Sequence, residues 1–387
     1  MTKSSKTPLM LLGILLLSLL LGDYVPLNTK QIFYAISLTI QAFLKAVLPF
    51  IIFTFLFSSI GSFKKNAVFF LIFIMVAVCL SNFTYTQIAY LFSSMDFLPK
   101  VKQISEVKHH LTPHWKFSVP ILIPNNYALF IGILCGLLAT SMPNREIWQK
   151  VSANLVKVSL FFLNRMFIPL IPLFILGFAL KLQHDDILMP VFQDYGYVLL
   201  TALVPSLAYL SIMYLLVNNF CFTAVLQSLK NMLPAIITGF TTMSGAASIP
   251  ATLEGSKKNT KDPMVVHSVI PMTANIHLLG DGFFIPTVAL AIMTSFNLPF
   301  PDMSVYLVFS LSFVLAKFAV AGVPGGGIIA MIPVLETTLG FNESMLSLIF
   351  SIYIIFDCIT TSINVCGNGA FVMAIAKIYH RFKSKIE

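Results

Sequence analysis

The sequence predicts an all-α polytopic membrane protein with about eight transmembrane helices and two re-entrant helical hairpins, which enter the membrane without crossing it. Hydrophobic residues make up 57% of the chain and charged residues only 10%, with a mean hydropathy of +0.89. This composition leaves too much apolar surface for a water-soluble fold. The 387 residues allow about eight spans of about 20 residues each, with room for shorter pieces. Two apolar segments also contain glycine- and proline-rich breaks that cannot continue a helix.

The net charge of +9 would also suit a nucleic-acid-binding protein. The basic residues are scattered over short loops between apolar segments, which is typical of the positive-inside distribution of membrane proteins. The five cysteines show no paired spacing. We therefore expect membrane lipid as a partner, no nucleic acid, no disulfide framework and no structural metal.

The first three predicted spans cover residues 9–21, 31–63 and 67–92. The first resembles the apolar core of a signal peptide. No cleavage site of the small-x-small type follows it, so we interpret it as an uncleaved span. Lys64 and Lys65 predict a cytoplasmic end for the second span.

A polar stretch, residues 93–118, follows the third span. With the N-terminus inside, three crossings place it outside the cytoplasm. His109, His110 and His114 could form a metal or pH-sensing site, but a solvated loop is the simpler interpretation.

Three more spans are predicted over residues 119–142, 151–182 and 192–221. Arg145 and Lys150 are expected in an inner loop after the fourth span. Two prolines are expected to interrupt the fifth span; they are Pro169 and Pro172.

Residues 223–258 and 304–339 are the predicted hairpins. Each has two apolar arms too short to span comfortably, joined by SGAASIP at 244–250 and by AGVPGGGI at 321–328. A broken helix is tolerated in lipid only where protein shields it or where it lines a polar cavity. We interpret these tips as gates, although they could also be loops between ordinary short helices; the predicted gate residues are Gly245, Val323, Pro324, Gly325 and Gly326.

The remaining spans, residues 264–297 and 343–379, carry polar residues in apolar surroundings, as intramembrane binding sites do. His277 and Asp281 are four residues apart, so they would share one face of a helix and could carry a proton. Alternatively, both serve only structural hydrogen bonds. An even number of crossings places both basic termini in the cytoplasm.

The order of hairpin, span, hairpin and span resembles that of the dicarboxylate/amino acid:cation symporters, which include the glutamate transporter homologues. The resemblance is clearest over residues 223–377, and its most specific parts are the AGVPGGG tip and NVCG at 364–367. It implies inverted repeats and a homotrimer. It also implies a scaffold of residues 1–62 and 119–182, joined by the 93–118 loop to a transport unit of residues 63–92 and 183–387.

The resemblance assigns roles to residues at matching positions. Asp357 would hold the amino group of a substrate, and Asn364 would reach its α-carboxylate. Thr360 stands where members that carry acidic substrates have an arginine, and a hydroxyl cannot offset the burial of a second carboxylate. A small neutral polar amino acid is therefore the favoured substrate, and Asp281 with Thr360 could also suit a cationic amino acid. The predicted binding residues are Asp357, Thr360, Thr361, Asn364, Asp281 and Ser244.

The resemblance also implies sodium sites, which this chain departs from. Leu279 and Asn368 occupy positions where members have cation-binding aspartates. Loss of both carboxylates should weaken sodium binding, while backbone carbonyls of broken helices can still coordinate the ion. The predicted coupling ion is sodium or a proton, with no cofactor; the candidate cation ligands are Asn364, Asn368, His277 and Asp281.

The sequence thus predicts a symporter of the cell (inner) membrane that works by alternating access. Two alternatives remain within the same family: a symporter for dicarboxylates or acidic amino acids, and a degenerate homologue that no longer transports. A membrane-embedded enzyme using His277 and Asp281 is disfavoured, because no nucleophile motif, zinc-binding spacing or nucleotide loop accompanies them.

Overall fold

The computed structural model describes residues 7–61, 68–97, 111–120, 123, 125–141, 145–185, 188–260 and 262–386. Every regular element in these ranges is helical, as predicted. The α-helices of the described residues are α1 (Thr7–Leu21), α2 (Leu27–Gly61), α3 (Val68–Phe92), α4 (Asn125–Ser141), α5 (Arg145–Phe161), α6 (Ile168–His184), α7 (Leu188–Val217), α8 (Phe222–Thr242), α9 (Gly245–Asn259), α10 (Pro263–Thr273), α11 (Leu279–Ser295), α12 (Met303–Ala316), α13 (Gly326–Leu339) and α14 (Glu343–Ile386).

Several helices match the length and apolar character of membrane spans. In the described part of the chain, four single helices are long and apolar enough to cross a bilayer, within α2, α3, α7 and α14. The bent pair formed by α5 and α6 is a fifth candidate. Shorter apolar helices lie in α4, α11, α12 and α13. This architecture agrees with the predicted polytopic membrane protein.

The helices pack in two groups. In the first group, α2 contacts α4, α5 and α6, and α1 packs on α6. In the second group, α11 contacts α3, α7 and α14, while α14 also contacts α8, α9 and α10. The proposed boundary between scaffold and transport unit runs between these groups, and the division itself stays a prediction.

The predicted fifth span begins earlier than expected and is bent. Arg145 and Lys150 lie in α5 rather than in a loop, which suits two residues with high helix propensity. A π-helical turn, Phe162–Phe167, joins α5 to α6, and the two segments form an angle of 49°. Pro169 stands in the first turn of α6, where a missing N–H costs little, so the span is interrupted at Pro169 as predicted. Pro172 lies inside α6 and does not interrupt it.

The fourth span also differs from its prediction. Helix α4 begins at Asn125 rather than at residue 119, and residues 111–120 are irregular. His109 and His110 lie outside the described residues, and the His114 ring packs edge-on against Trp115. The described residues contain no group of three potential metal ligands.

The seventh span is not one continuous helix. Residues 274–278 separate α10 from α11, and His277 lies in this break while Asp281 lies in the first turn of α11. The premise that the two residues share a helix face is therefore wrong. The break persists because side chains of other helices hydrogen-bond the freed backbone groups: Asn82 on α3 donates to the Ile276 carbonyl at 2.9 Å.

Candidate functional site

A small cavity lies where two helix-turn-helix units meet the break between α10 and α11 and the middle of α14. We call α8 with α9 the first hairpin and α12 with α13 the second hairpin. The cavity has a volume of about 20 Å³, enough for about one water molecule. Its polar lining residues are Asn275, Asp281, Tyr353, Asp357, Thr361 and Asn364, and the two hairpin tips supply Gly245, Gly322 and Val323.

The hairpin tips contact each other across this cavity. The Ser244 hydroxyl donates a hydrogen bond to the Gly322 carbonyl, so one side chain of the first tip holds the backbone of the second. The same hydroxyl accepts from the Ala247 amide at 3.1 Å and caps the N-terminus of α9. Ser244 thus joins the tips beside the cavity and also starts a helix.

The second tip is held by Asp357 on α14. The Gly325 amide donates to Asp357 Oδ2 at 2.7 Å, and the Thr361 hydroxyl donates to Asp357 Oδ1 at 2.9 Å. Gly325 has φ = +75°, which favours glycine, and Pro324 before it is half-buried in the turn. The carboxylate assigned by resemblance to a substrate amino group here binds the backbone of the second tip.

Asn364 organises the start of α11. Its Oδ1 accepts from the amides of Gly280 and Asp281 at 2.7 and 3.3 Å, and its Nδ2 donates to Asp281 Oδ1 at 3.1 Å. These bonds satisfy backbone donors that the break in the seventh span leaves free. Thr360 does not line the cavity; its hydroxyl donates to the Asp357 backbone carbonyl at 3.3 Å and also interacts with Asp281.

The predicted cation ligands fall into two separate groups. Asn364 and Asp281 form the pair just described. His277 is fully buried, with Nδ1 3.2 Å from Asn368 Oδ1 and Nε2 2.9 Å from the Ser81 hydroxyl, and its ring stacks on Phe371. Both ring nitrogens of His277 are therefore engaged away from Asp281.

Three polar residues of this region were not identified from the sequence, and neither was the role of Gly327; the three are Tyr353, Asn275 and Lys317. Gly327 packs against the Tyr353 hydroxyl and Asp281 Oδ2, so a side chain at Gly327 would displace both. Asn275 Oδ1 is buried and has no hydrogen-bond partner among the described residues, so a bound ligand could use this acceptor. Lys317 is also buried. Of these residues, only Lys317 could have been recognised from the sequence, because a lysine in an apolar hairpin arm is unusual.

The electrostatics of the cavity favour a cationic group. Asp281 and Asp357 are 2% and 3% exposed, and no lysine or arginine is among the residues that line the cavity. Hydroxyl and amide groups contact both carboxylates, while the Lys317 ammonium, which does not line the cavity, interacts electrostatically with Asp281. A buried carboxylate in an apolar region is stabilised by a positive partner, so this site can bind a substrate ammonium or a metal cation.

Comparisons with known proteins agree with this architecture. The model of the sodium:dicarboxylate symporter family matches residues 7–378. A putative sodium-dependent excitatory amino acid transporter of Caenorhabditis elegans, glt-4, is 30% identical over 38% of this chain and 29% of its own length. An uncharacterized symporter of Haemophilus influenzae is 34% identical over 37% of this chain and 32% of its own.

Excitatory amino acid transporter 1 of Ambystoma tigrinum is 28% identical over 36% of this chain. These matches span between a quarter and a third of each relative's length, whereas the family model spans nearly the whole chain. The family resemblance carried by the hairpin tips is confirmed. The chain belongs to the sodium:dicarboxylate symporter family.

Proposed function

We propose that this protein is a secondary active symporter that moves a small neutral polar amino acid across the cell membrane, coupled to sodium or protons. The observation that carries the proposal is the small cavity between the two tips, which is lined by two buried carboxylates and by no basic side chain. Family membership supports transport rather than enzymatic chemistry, and sodium is the coupling ion that the family name favours.

The choice of substrate follows from charge. A neutral amino acid brings one ammonium and one carboxylate. The ammonium would pair with Asp357, and the carboxylate would accept a hydrogen bond from the side-chain amide of Asn364. A second carboxylate on the substrate would face Asp281 without a basic partner in the lining. The relatives named excitatory amino acid transporters favour an acidic substrate, so the proposed preference is a departure from them.

Alternating access requires the tips to part. The substrate ammonium would replace the Gly325 amide at Asp357, and the Ser244 contact with Gly322 would open on the side that admits substrate. The predicted gate residues then move as two rigid tips on hairpins that re-enter the membrane. The fit of the substrate would let the tip close again, and the transport unit would move against the scaffold.

The same proposal includes the membrane topology and the assembly. Both termini would lie in the cytoplasm, because both carry basic residues and basic segments of membrane proteins tend to stay on the cytoplasmic side. A homotrimer is implied by the family resemblance. Exposed apolar side chains on α4, Phe130, Leu134 and Leu138, would then face lipid or another copy of the chain.

The test is uptake by purified protein in liposomes. Labelled serine, alanine, lysine, glutamate and succinate would each be offered under an inward sodium gradient and, separately, under a proton gradient. We expect serine or alanine to accumulate, and the effective gradient identifies the coupling ion. Asp357→Asn should reduce uptake to background, because the ammonium loses its charged partner.

Glu343→Gln is the matched control, since this exposed carboxylate starts the same helix far from the cavity. Its uptake should equal that of the wild type. Accumulation of glutamate or succinate in preference to serine would contradict the substrate assignment and keep the symporter. Absence of uptake under both gradients, with ligand binding retained, would replace the proposal with a non-transporting homologue.

A further inference from the structure

Lys317 is a fully buried lysine that the transport mechanism above does not use. It follows α12 in a short 3₁₀ turn, Lys317–Ala319, and its exposed fraction is 0%. Burial of an ammonium group costs several kcal/mol unless its surroundings replace the water that it loses. A lysine in this position therefore needs an explanation beyond packing.

The surroundings of the ammonium consist of neutral oxygens and aromatic faces. Lys317 Nζ donates to the Leu278 carbonyl at 2.8 Å and to the Tyr85 hydroxyl at 3.0 Å. It also lies 4.5 Å from the centre of the Tyr85 ring and 4.9 Å from that of Phe313. Carbonyl and hydroxyl oxygens together with π-faces are groups that bind monovalent cations.

The Leu278 carbonyl belongs to the break between α10 and α11. This carbonyl also accepts from the Gly282 amide at 3.0 Å, so the ammonium uses its second lone pair. Backbone carbonyls at broken membrane helices are typical ligands of transported cations. Asn82 connects Tyr85 to the break, because the Tyr85 hydroxyl donates to Asn82 Oδ1 and Asn82 Nδ2 donates to the Ile276 carbonyl. The ammonium thus occupies a cation-binding position built from α3, the break and the second hairpin.

Space for the ammonium depends on Gly282. A side chain at Gly282 would collide with the Tyr85 ring, and its Cβ would lie 2.8 Å from Lys317 Nζ. Asp281, the preceding residue, interacts electrostatically with Lys317 and supplies a compensating negative charge. Charge, ligands and room are therefore all present for one positive ion.

We propose that the Lys317 ammonium is a tethered cation that takes the place of a free metal cation at the break in the seventh span. The lysine belongs to the second hairpin, so its ammonium also fastens that hairpin to α3 and to the break without recruiting an ion from solution. This inference rests on the proposed symport function and deepens it. The chain would need one free cation fewer for each transport cycle than a relative in which no lysine occupies this position.

The test measures cation binding and does not require transport. Thermal unfolding of the purified protein would be followed in sodium chloride and in choline chloride at equal ionic strength. Lys317→Met removes the charge, and Lys317→Met with Asn82→Asp places a carboxylate one hydrogen bond away. We expect sodium to raise the unfolding midpoint of both variants more than that of the wild type, by about 1–3 °C at ten times the dissociation constant.

Lys317→Arg is the matched control, because it keeps a cation in the site and should keep the wild-type sodium response. If Lys317→Met does not fold, Lys317→Gln retains a donor for the Leu278 carbonyl without the charge. An equal sodium response in the wild type and in all folded variants would overturn the proposal.

Uptake distinguishes this inference from the proposed function. If the wild type transports, the apparent number of sodium ions, read as the Hill coefficient of uptake, should be higher in the double variant by about one. If no variant transports while the sodium-dependent stabilisation appears as expected, the symport function fails and the tethered cation stands.

Discussion

The two hairpin tips contact each other, but they are anchored differently. The second tip is fastened to the core, because the Gly325 amide binds the Asp357 carboxylate at 2.7 Å. The first tip is joined to the second by the Ser244 hydroxyl, while Ala246 and Ala247 remain exposed. A ligand of Asp357 therefore competes directly with a bond that anchors the second tip, whereas the described bond of the first tip, from Ser244 to Gly322, does not involve Asp357.

The largest effect should come from joining the tips covalently. A Cβ atom at Gly322 would lie 2.8 Å from that of Ala246, closer than the ~3.5–4.5 Å found in disulfides, so the two tips must separate slightly to accommodate the bond. In the double variant Ala246→Cys and Gly322→Cys, an oxidant should abolish uptake and a reductant should restore it. The reduced double variant sets the reference activity, and uptake that persists after complete crosslinking would mean that the tips need not part.

Substitution of Gly325 should have the next largest effect. Gly325→Ala forces a side chain into the left-handed region and toward Ile354, at a cost of about 1–2 kcal/mol from the backbone alone. We expect uptake to fall about tenfold, since 1.4 kcal/mol is a factor of ten. Steady-state uptake at several substrate concentrations measures the change.

Gly340→Ala is a matched control for this variant. Gly340 has a similar φ of +69°, but its Cβ would meet no atom within 4 Å, and it lies at the end of α13 away from the tip. The control should lower stability while preserving uptake per folded molecule. Equal losses of uptake in the two variants would show that backbone strain, and not the tip, limits transport.

Loss of the link between the tips should have a smaller effect. Ser244→Ala removes the contact with Gly322 and the cap of α9, and such caps contribute about 0.5–2 kcal/mol. We expect a several-fold decrease in uptake and a lower unfolding midpoint. Thr241→Ala is the control, because the Thr241 hydroxyl bonds only carbonyls of its own helix. Similar effects of the two substitutions would argue against a specific link.

The smallest effect is expected far from both tips, at the start of the second hairpin. Asp302 caps α12, and hydrogen bonds from the Val305 amide and the Ser304 hydroxyl lower the pKa of its carboxyl. The ionised form therefore stabilises the fold above the usual pKa of aspartate, and this stabilisation is lost as the pH falls through the lowered value.

Asp302→Ala should slightly lower the unfolding midpoint at neutral pH and leave uptake unchanged. The difference in midpoint between this variant and the wild type should shrink in acid, because protonation of the wild-type carboxyl removes the charge that its hydrogen bonds stabilise. Unfolding curves recorded between neutral pH and about pH 3 provide the measurement. A difference that stays constant over this range would assign the effect to something other than the charge of Asp302.

The sequence predicted the order of the C-terminal elements because proline and glycine report directly on backbone geometry. The tip at Pro324 and Gly325 is an example, since few other residues fit such a turn. The position of Asp357 within reach of the second tip was not predictable in the same way. That contact joins residues 32 positions apart in the chain and depends on how α14 packs.

The break at residues 274–278 was missed for a related reason. No proline or glycine lies within it, and its apolar residues continue the pattern of a span. Two asparagines from other helices hydrogen-bond the backbone here: Asn82 donates to the Ile276 carbonyl, and Asn364 accepts from the Gly280 amide. Tertiary hydrogen bonds therefore override a local preference that the sequence pattern alone reads as helix.

The bond between Gly325 and Asp357 has a consequence for affinity. A substrate that needs the Asp357 carboxylate must first find the tip released, so its apparent dissociation constant equals the intrinsic value divided by the fraction of molecules in the released state. A tip that is released about one time in a hundred would weaken apparent binding about a hundredfold. Substitutions in the turn, without contact to the substrate, would thereby retune the working concentration range of the protein.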